Sequence, residues 1–186
     1  MPHPQNDRPS SDIYLGEGER TDLIGPDGLP QVHLVEQVYD GEVVLRFCDD
    51  ASGELMTAEA RRLTAAGIWA GKLRGRNHYA DAARRADLRP GRRLVLVRQS
   101  DNPHDAHAVA VTAAGSNEVI GFIDKAKARQ LAKQLDGGVN LSVVSLAGTG
   151  PGVACGSITY AAAMPEVIAH ITGLRPNTAA RPAHWA

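Results

Sequence analysis

Aromatic side chains are the scarcest material in this chain: 2 Trp, 4 Tyr and 2 Phe among 186 residues. Hydrophobic residues reach 43% all the same, so the core must be assembled mainly from Val, Leu, Ile and Ala, and each aromatic needs its own explanation. Cysteine is sparser still. Cys48 and Cys155 stand far apart without metal-type spacing, which excludes a zinc ribbon and fits small apolar residues of a reducing compartment better than a disulfide. No stretch approaches the roughly 20 apolar residues of a membrane helix. Residues 1–11 are polar and proline-rich, without the apolar segment of a secretory signal. The expectation is a cytoplasmic protein with no membrane partner and a disordered tail over 1–11.

Charge is present but unevenly placed. The net value of −1 conceals a division: residues 1–71 carry 5 Arg against 13 Asp or Glu, a net −8. Residues 72–139 carry 13 Lys or Arg against 7 acids, a net +6, and residues 140–186 add +1. An acidic module beside a polyanion-binding one is the functional reading of such asymmetry. Two solvated surfaces that merely differ is the bland one, because charge informs on partners and not on fold.

Short strand-like runs with turn punctuation dominate the chain. Ile13–Leu15 and 31–39 read as strands, Asp40-Gly41 as a two-residue hairpin turn, and Glu42–Cys48 as the returning strand. Thr57 is placed to cap a helix over Ala58–Ala66, which Gly67 ends. The region 12–70 is therefore expected to be an acidic β-meander plus one helix. Beyond it, strands are expected at 72–79, 92–98, 106–112 and 119–123, with a possible helix over 80–86. A basic amphipathic helix follows over 124–135, with Asp124 as its cap. Strands at 140–146 and 157–163 flank the glycine-rich turn 148–156, and a short element at 165–171 precedes a proline-rich tail expected to be mobile over 173–186. Many short strands with few helices predict a mainly β, α+β chain built on a small barrel or strongly curved sheet.

The densest polar segment is 98–111, in which a turn starting at Asp101-Asn102-Pro103 lies between two apolar runs, Leu94–Val97 and Ala108–Val111. A polar loop held between strands near positive charge suits recognition of a phosphate-bearing ligand. Several blocks around it occur in a specific order: Gly75-Arg76-Asn77-His78-Tyr79, Leu88-Arg89-Pro90-Gly91, Leu94–Arg98, Asp101-Asn102-Pro103-His104-Asp105, Ala108–Val111, and Ile120-Gly121-Phe122-Ile123 with the helix that follows. Over about 65 residues of the middle third they resemble the HIRAN domain, a small barrel found in fork-remodelling ATPases of the Swi/Snf type and as bacterial stand-alone proteins.

That resemblance implies an OB-like or SH3-like small barrel over 71–172 that binds single-stranded DNA and captures DNA 3′ ends. Its DNA-binding set in this chain is Arg76, His78, Tyr79, Asn102, His104, Asp105, Phe122 and Lys125. The chemistry of these groups suits the task. Tyr79 offers a stacking platform with His78 beside it. Asp105 offers a charged acceptor for a terminal sugar hydroxyl and repels a 3′-phosphate. Lys125, at the start of the basic helix, can pair with phosphate, as the free N–H groups there also favour an anion. The chain departs from the family at three positions: His104 and His78 stand where aromatics are common, and Phe122 where His or Tyr is common.

Four of these residues also have a purely structural reading. Asn102 and Asp105 serve equally well as Asx-type caps of their turn, and Tyr79 and Phe122 as core. Arg84, Arg85, Arg92 and Arg93 read as general surface or, at most, a steering field. His104 and His107 with Asp105 lack zinc-like spacing, and Gly148–Gly156 lacks both GxGxxG spacing and a P-loop lysine, so neither a metal nor any other cofactor is expected. The reading is a non-catalytic module for single-stranded DNA or DNA ends in repair, fork or defence settings, with a helicase, ATPase or nuclease as a possible protein partner. The alternatives are an interaction adaptor with a structural barrel and a small metal-dependent nuclease.

Overall fold

A computed structural model of the chain describes residues 23–183. The tail expected at 1–11, the strand expected at Ile13–Leu15 and residues 184–186 of the expected C-terminal tail lie outside the described residues. The described part opens with strands β1 (Val32–Tyr39) and β2 (Glu42–Asp49), joined at Asp40-Gly41. Both turn residues have positive φ, 52° and 76°, as a type I′ hairpin requires, and the register runs from Tyr39 opposite Glu42 to Val32 opposite Asp49. The short β3 (Leu55–Met56) pairs with β2 and completes a three-stranded meander.

The helix after it is shorter than expected. Helix α1 spans Arg61–Ala65, and Thr57 does not cap it. Residues 57–60 instead close a separate turn, in which the Ala60 N–H donates to the Thr57 carbonyl at 3.1 Å. A cap pattern is only a local preference, and here a competing turn takes up the groups the cap would have used.

The remaining strands form one antiparallel sheet of six: β4 (Trp69–Lys72), β5 (Arg93–Arg98), β6 (Val109–Ala113), β7 (Val119–Phe122), β8 (Ser142–Ala147) and β9 (Thr159–Ala163). Their spatial order is β4-β9-β8-β5-β6-β7. Register shifts at Val111/Thr112 and Ser145/Ala147 add local bend, and the sheet curls until its two edges meet at a single bridge between Arg74 and Phe122. The mainly β, α+β class with a strongly curved sheet expected from the sequence is what the chain forms. Three further helices sit at the margins: α2 (Ala80–Arg85), α3 (Lys125–Asp136) and α4 (Pro165–Ile171).

The curled sheet is buried on both faces, which explains its unusually apolar strands. Tyr160, Ala162 and Val143 point into the barrel with Val109, Val111 and Ile120, and α3 closes that core with Ala128, Leu131 and Ala132. Their neighbours Ala161, Ala163, Val144 and Leu146 point outward, where Val32, Phe47, Met56, Leu63 and Val167 cover them. The acidic meander therefore shares a core with β8, β9 and α4. Residues 173–183, expected as a mobile tail, carry Arg175 onto Asp50 at 3.2 Å. Among the described residues no helix is long and apolar enough to cross a membrane.

Candidate functional site

The site starts where the sheet closes. Just past β4, Arg74 exchanges both backbone hydrogen bonds with Phe122, at 2.7 and 3.0 Å. Gly121 permits the approach, since a Cβ there would meet the Arg74 carbonyl and Leu73 Cβ at 3.0 Å. The chain then reverses at Gly75, whose φ is 85°. Residues 75–79, expected to continue a strand, are thus a turn, held by His78 and Tyr79 N–H groups donating to the Gly75 carbonyl at 2.9 and 3.3 Å.

This turn lays Tyr79 against Phe122. Their ring centroids are 5.7 Å apart with planes at 47°, inside the range of favourable aromatic pairs. His78 meets Tyr79 edge-on at 6.5 Å and is itself exposed. Tyr79 and Phe122 are half-buried, so the pair is neither fully core nor free surface. Arg76, on the same turn, donates from its guanidinium to the Gly156 carbonyl, which fastens the glycine-rich 148–156 connection beside the site.

The polar turn 99–108 is built largely by its own side chains. Asn102 Oδ1 accepts from the N–H groups of His104 (3.0 Å) and Asp105 (3.3 Å), while its Nδ2 donates to Gln99 Oε1 (2.9 Å). Asp105 Oδ1 accepts from the His107 N–H at 2.8 Å. These bonds delay the start of β6 to Val109, whereas a strand was expected from 106. His104 and His107 are exposed, and no group of three His, Cys, Asp or Glu able to hold a metal ion occurs among the described residues.

The turn and the ring pair occupy the same end of the sheet. Gln99 N–H donates to Ala108, and Ile123 N–H donates to Val109, both at 3.0 Å, so the chain leaving β7 passes beside the start of β6. Asp124 then caps α3, its Oδ1 accepting from Ala126 (3.1 Å) and Lys127 (3.2 Å). Lys125 follows, exposed and with no ion-pair partner among the described residues. The fold thus brings Arg76, His78, Tyr79, Phe122 and Lys125 around the β7–α3 junction, with Asn102, His104 and Asp105 on the adjoining turn.

The arginines read as a steering field are mostly committed elsewhere. Arg85 pairs with Glu118 at 2.8 Å, and Arg89 and Arg92 both hold Asp87, at 2.7 and 2.9 Å. The hydrogen bond from Arg89 keeps the Asp87 carboxyl at about 2, well below its usual range. Arg84 donates to the Gly152 carbonyl at 3.4 Å. Exposed Arg74, at the closing bridge, was not singled out from sequence. The spacing of Lys72 and Arg74 was the available signal, since a period of two places side chains on one strand face.

Residues 70–148 match the family model of the HIRAN domain. The crystal structure of the HIRAN domain of human HLTF is similar, with 19% identity and a TM-score of 0.42, over 56% of this chain and 83% of that one. A crystal structure of a Lactobacillus plantarum protein is 20% identical with a TM-score of 0.39, over 52% of this chain and 99% of that one. The NMR structure of the HLTF HIRAN domain in its DNA-bound conformation is 20% identical with a TM-score of 0.36, over 56% and 82%. No curated protein matches the chain.

Proposed function

We propose that this protein, whose residues 70–148 match the HIRAN domain model, is a non-catalytic DNA-binding module that takes single-stranded DNA and holds its 3′ end. The observation that carries the reading is the half-buried Tyr79–Phe122 pair. Two of the chain's few aromatics, 43 positions apart, meet beside the exposed cations Arg74, Arg76 and Lys125. A terminal base stacks on the Tyr79 face, with His78 and His104 flanking it. Arg76 and Lys125 hold phosphates. Asn102 shapes the turn that presents Asp105 to the terminal hydroxyl. The match of residues 70–148 to the HIRAN domain supports the reading, and the HIRAN domain of human HLTF is known in a DNA-bound conformation. Repair, fork processing or defence would be the setting for such a module.

The test is a titration with single-stranded oligonucleotides ending in 3′-hydroxyl or 3′-phosphate, at two salt concentrations. Binding should weaken with salt, as phosphate contacts require, and the hydroxyl end should be preferred. Tyr79→Ala should cost about 1–3 kcal/mol of affinity through lost stacking, with little change in melting temperature because the ring is only half-buried. Absence of binding at low salt would leave the adaptor reading. One feature favours that alternative: the β1–β2 hairpin tip exposes Val38, Tyr39 and Val43 beside exposed Glu36, Asp40 and Glu42, a surface suited to a protein partner such as a helicase, ATPase or nuclease.

A further inference from the structure

Helix α3 has two flanks with different commitments. One is tied to β4: Gln130 accepts a hydrogen bond from the Trp69 indole at 2.8 Å, and the Lys127 ammonium lies over Gly71 and pairs with Asp124 at 3.6 Å. A third face, Ala128, Leu131 and Ala132, is buried in the barrel core. The other flank carries Lys125, Arg129 and Lys133, all exposed and none with an ion-pair partner among the described residues. Spacing of four residues stacks them on one stripe, about 12 Å long at 1.5 Å per residue.

This stripe is beside the polar turn, not on a remote surface. Asp136 falls on the same side three turns along, and Arg98 grips it with two bonds of 3.0 and 3.1 Å. The same guanidinium donates to the Ala108 carbonyl at the base of the 99–108 turn, at 3.3 Å. At the helix start, the Ile123–Val109 hydrogen bond ties the other end to β6. The flank and the turn are therefore joined at both ends, and Lys125 begins the stripe three residues after Phe122 of the ring pair. The turn itself bears Asp101 and Asp105, which repel phosphates and leave the helix as the side that attracts them.

We infer that the strand held at the ring pair continues along α3, its phosphates on Lys125, Arg129 and Lys133 and its sugars and bases toward the 99–108 turn. The recognised ligand is then a single-stranded tail of several nucleotides, not a terminal residue alone. This rests on the DNA-end reading above. It adds Arg129 and Lys133 to the site and gives the cationic excess of the middle third a defined place. A stripe of about 12 Å spans only a few nucleotides, toward the short end of the roughly 4–16 that OB-type folds engage.

The experiment compares 3′-hydroxyl oligothymidylates of three, six and twelve residues against the full chain and its Arg129→Gln/Lys133→Gln variant. Glutamine keeps helix propensity, so the variant should fold. The parent should bind the six-mer about ten-fold tighter than the three-mer. The variant should lose that gain yet keep the parent's affinity for the three-mer. Its salt dependence on the twelve-mer should be shallower by about 1.4 in log–log slope, roughly 0.7 for each single-strand phosphate contact removed. A variant that keeps the parent's length gain and slope overturns the inference. A parent that binds the three-mer with no gain on lengthening also overturns it while sparing the DNA-end reading; a parent that binds none of the three sinks both.

Discussion

At the scale of single residues, the sharpest question falls on the two acidic or amide groups of the polar turn. Asn102 uses both ends of its amide within the turn, toward His104, Asp105 and Gln99. Its role is to shape. Asp105 gives one oxygen to the His107 N–H at 2.8 Å, a bond for which any acceptor suffices. A terminal sugar hydroxyl benefits further from a charge, and hydrogen bonds to charged groups are worth about 1.5–3 kcal/mol. Asp105→Asn separates the two roles, because the amide oxygen can still accept from His107 while the charge is gone. Affinity for a 3′-hydroxyl end should fall about ten- to a hundred-fold. The preference over a 3′-phosphate end should collapse toward unity, with the thermal midpoint nearly unmoved. If the preference persists in the variant, Asp105 is a cap and nothing more.

Elements show what was local and what was not. The α3 N-terminus was legible as a sequence because its cap is local: Asp124 accepts from Ala126 and Lys127, two and three residues on. Asp124→Ala should cost about 0.5–2 kcal/mol, or roughly 1–8 °C of melting temperature for a chain of this size; no shift in a thermal melt would show the cap to be idle. The Asp40-Gly41 hairpin was legible for the same reason, since both residues accept positive φ. Thr57 shows the limit of such signals, because a backbone turn over 57–60 outcompeted the cap. The strand expected over 72–79 failed for a different cause. Its second half is bent by Gly75 and pinned to Phe122, a partner more than forty residues away that no local window contains. The ring pair depends on that same long-range bridge. The family resemblance named Tyr79 and Phe122, but only the closed sheet brings them into contact.

Across the whole molecule, the acidic third is joined to the curled sheet by packing. The acidic third contributes Val32, Phe47, Met56 and Leu63 to a core shared with Val144, Leu146, Ala161, Ala163 and Val167, so removing it would strip one face of the sheet. Its charge is partly used inside the fold. Asp49 pairs with Arg62 at 3.4 Å, and Asp50 takes both His33, at 2.8 Å, and Arg175. Arg175 also donates to the carbonyls of Asp49 (3.1 Å) and Ala180 (2.8 Å), and the N–H groups of Ala180 and Ala183 donate to Asp50 and Gly53, each at 2.8 Å. Residues 175–183 thus form a strap across the β2–β3 turn, and a side chain at Gly53 would run into the Arg181 carbonyl. Arg175→Ala removes the charge that holds the strap, and Gly53→Ala removes the space it occupies. Both should raise amide hydrogen exchange at Ala180 and Ala183 at least about ten-fold, a loss of some 1.4 kcal/mol of local protection, while exchange in β8 and β9 stays slow. Random-coil exchange at those two amides in the unaltered chain would mean that the strap does not form and that 173–183 is the mobile tail its prolines first suggested.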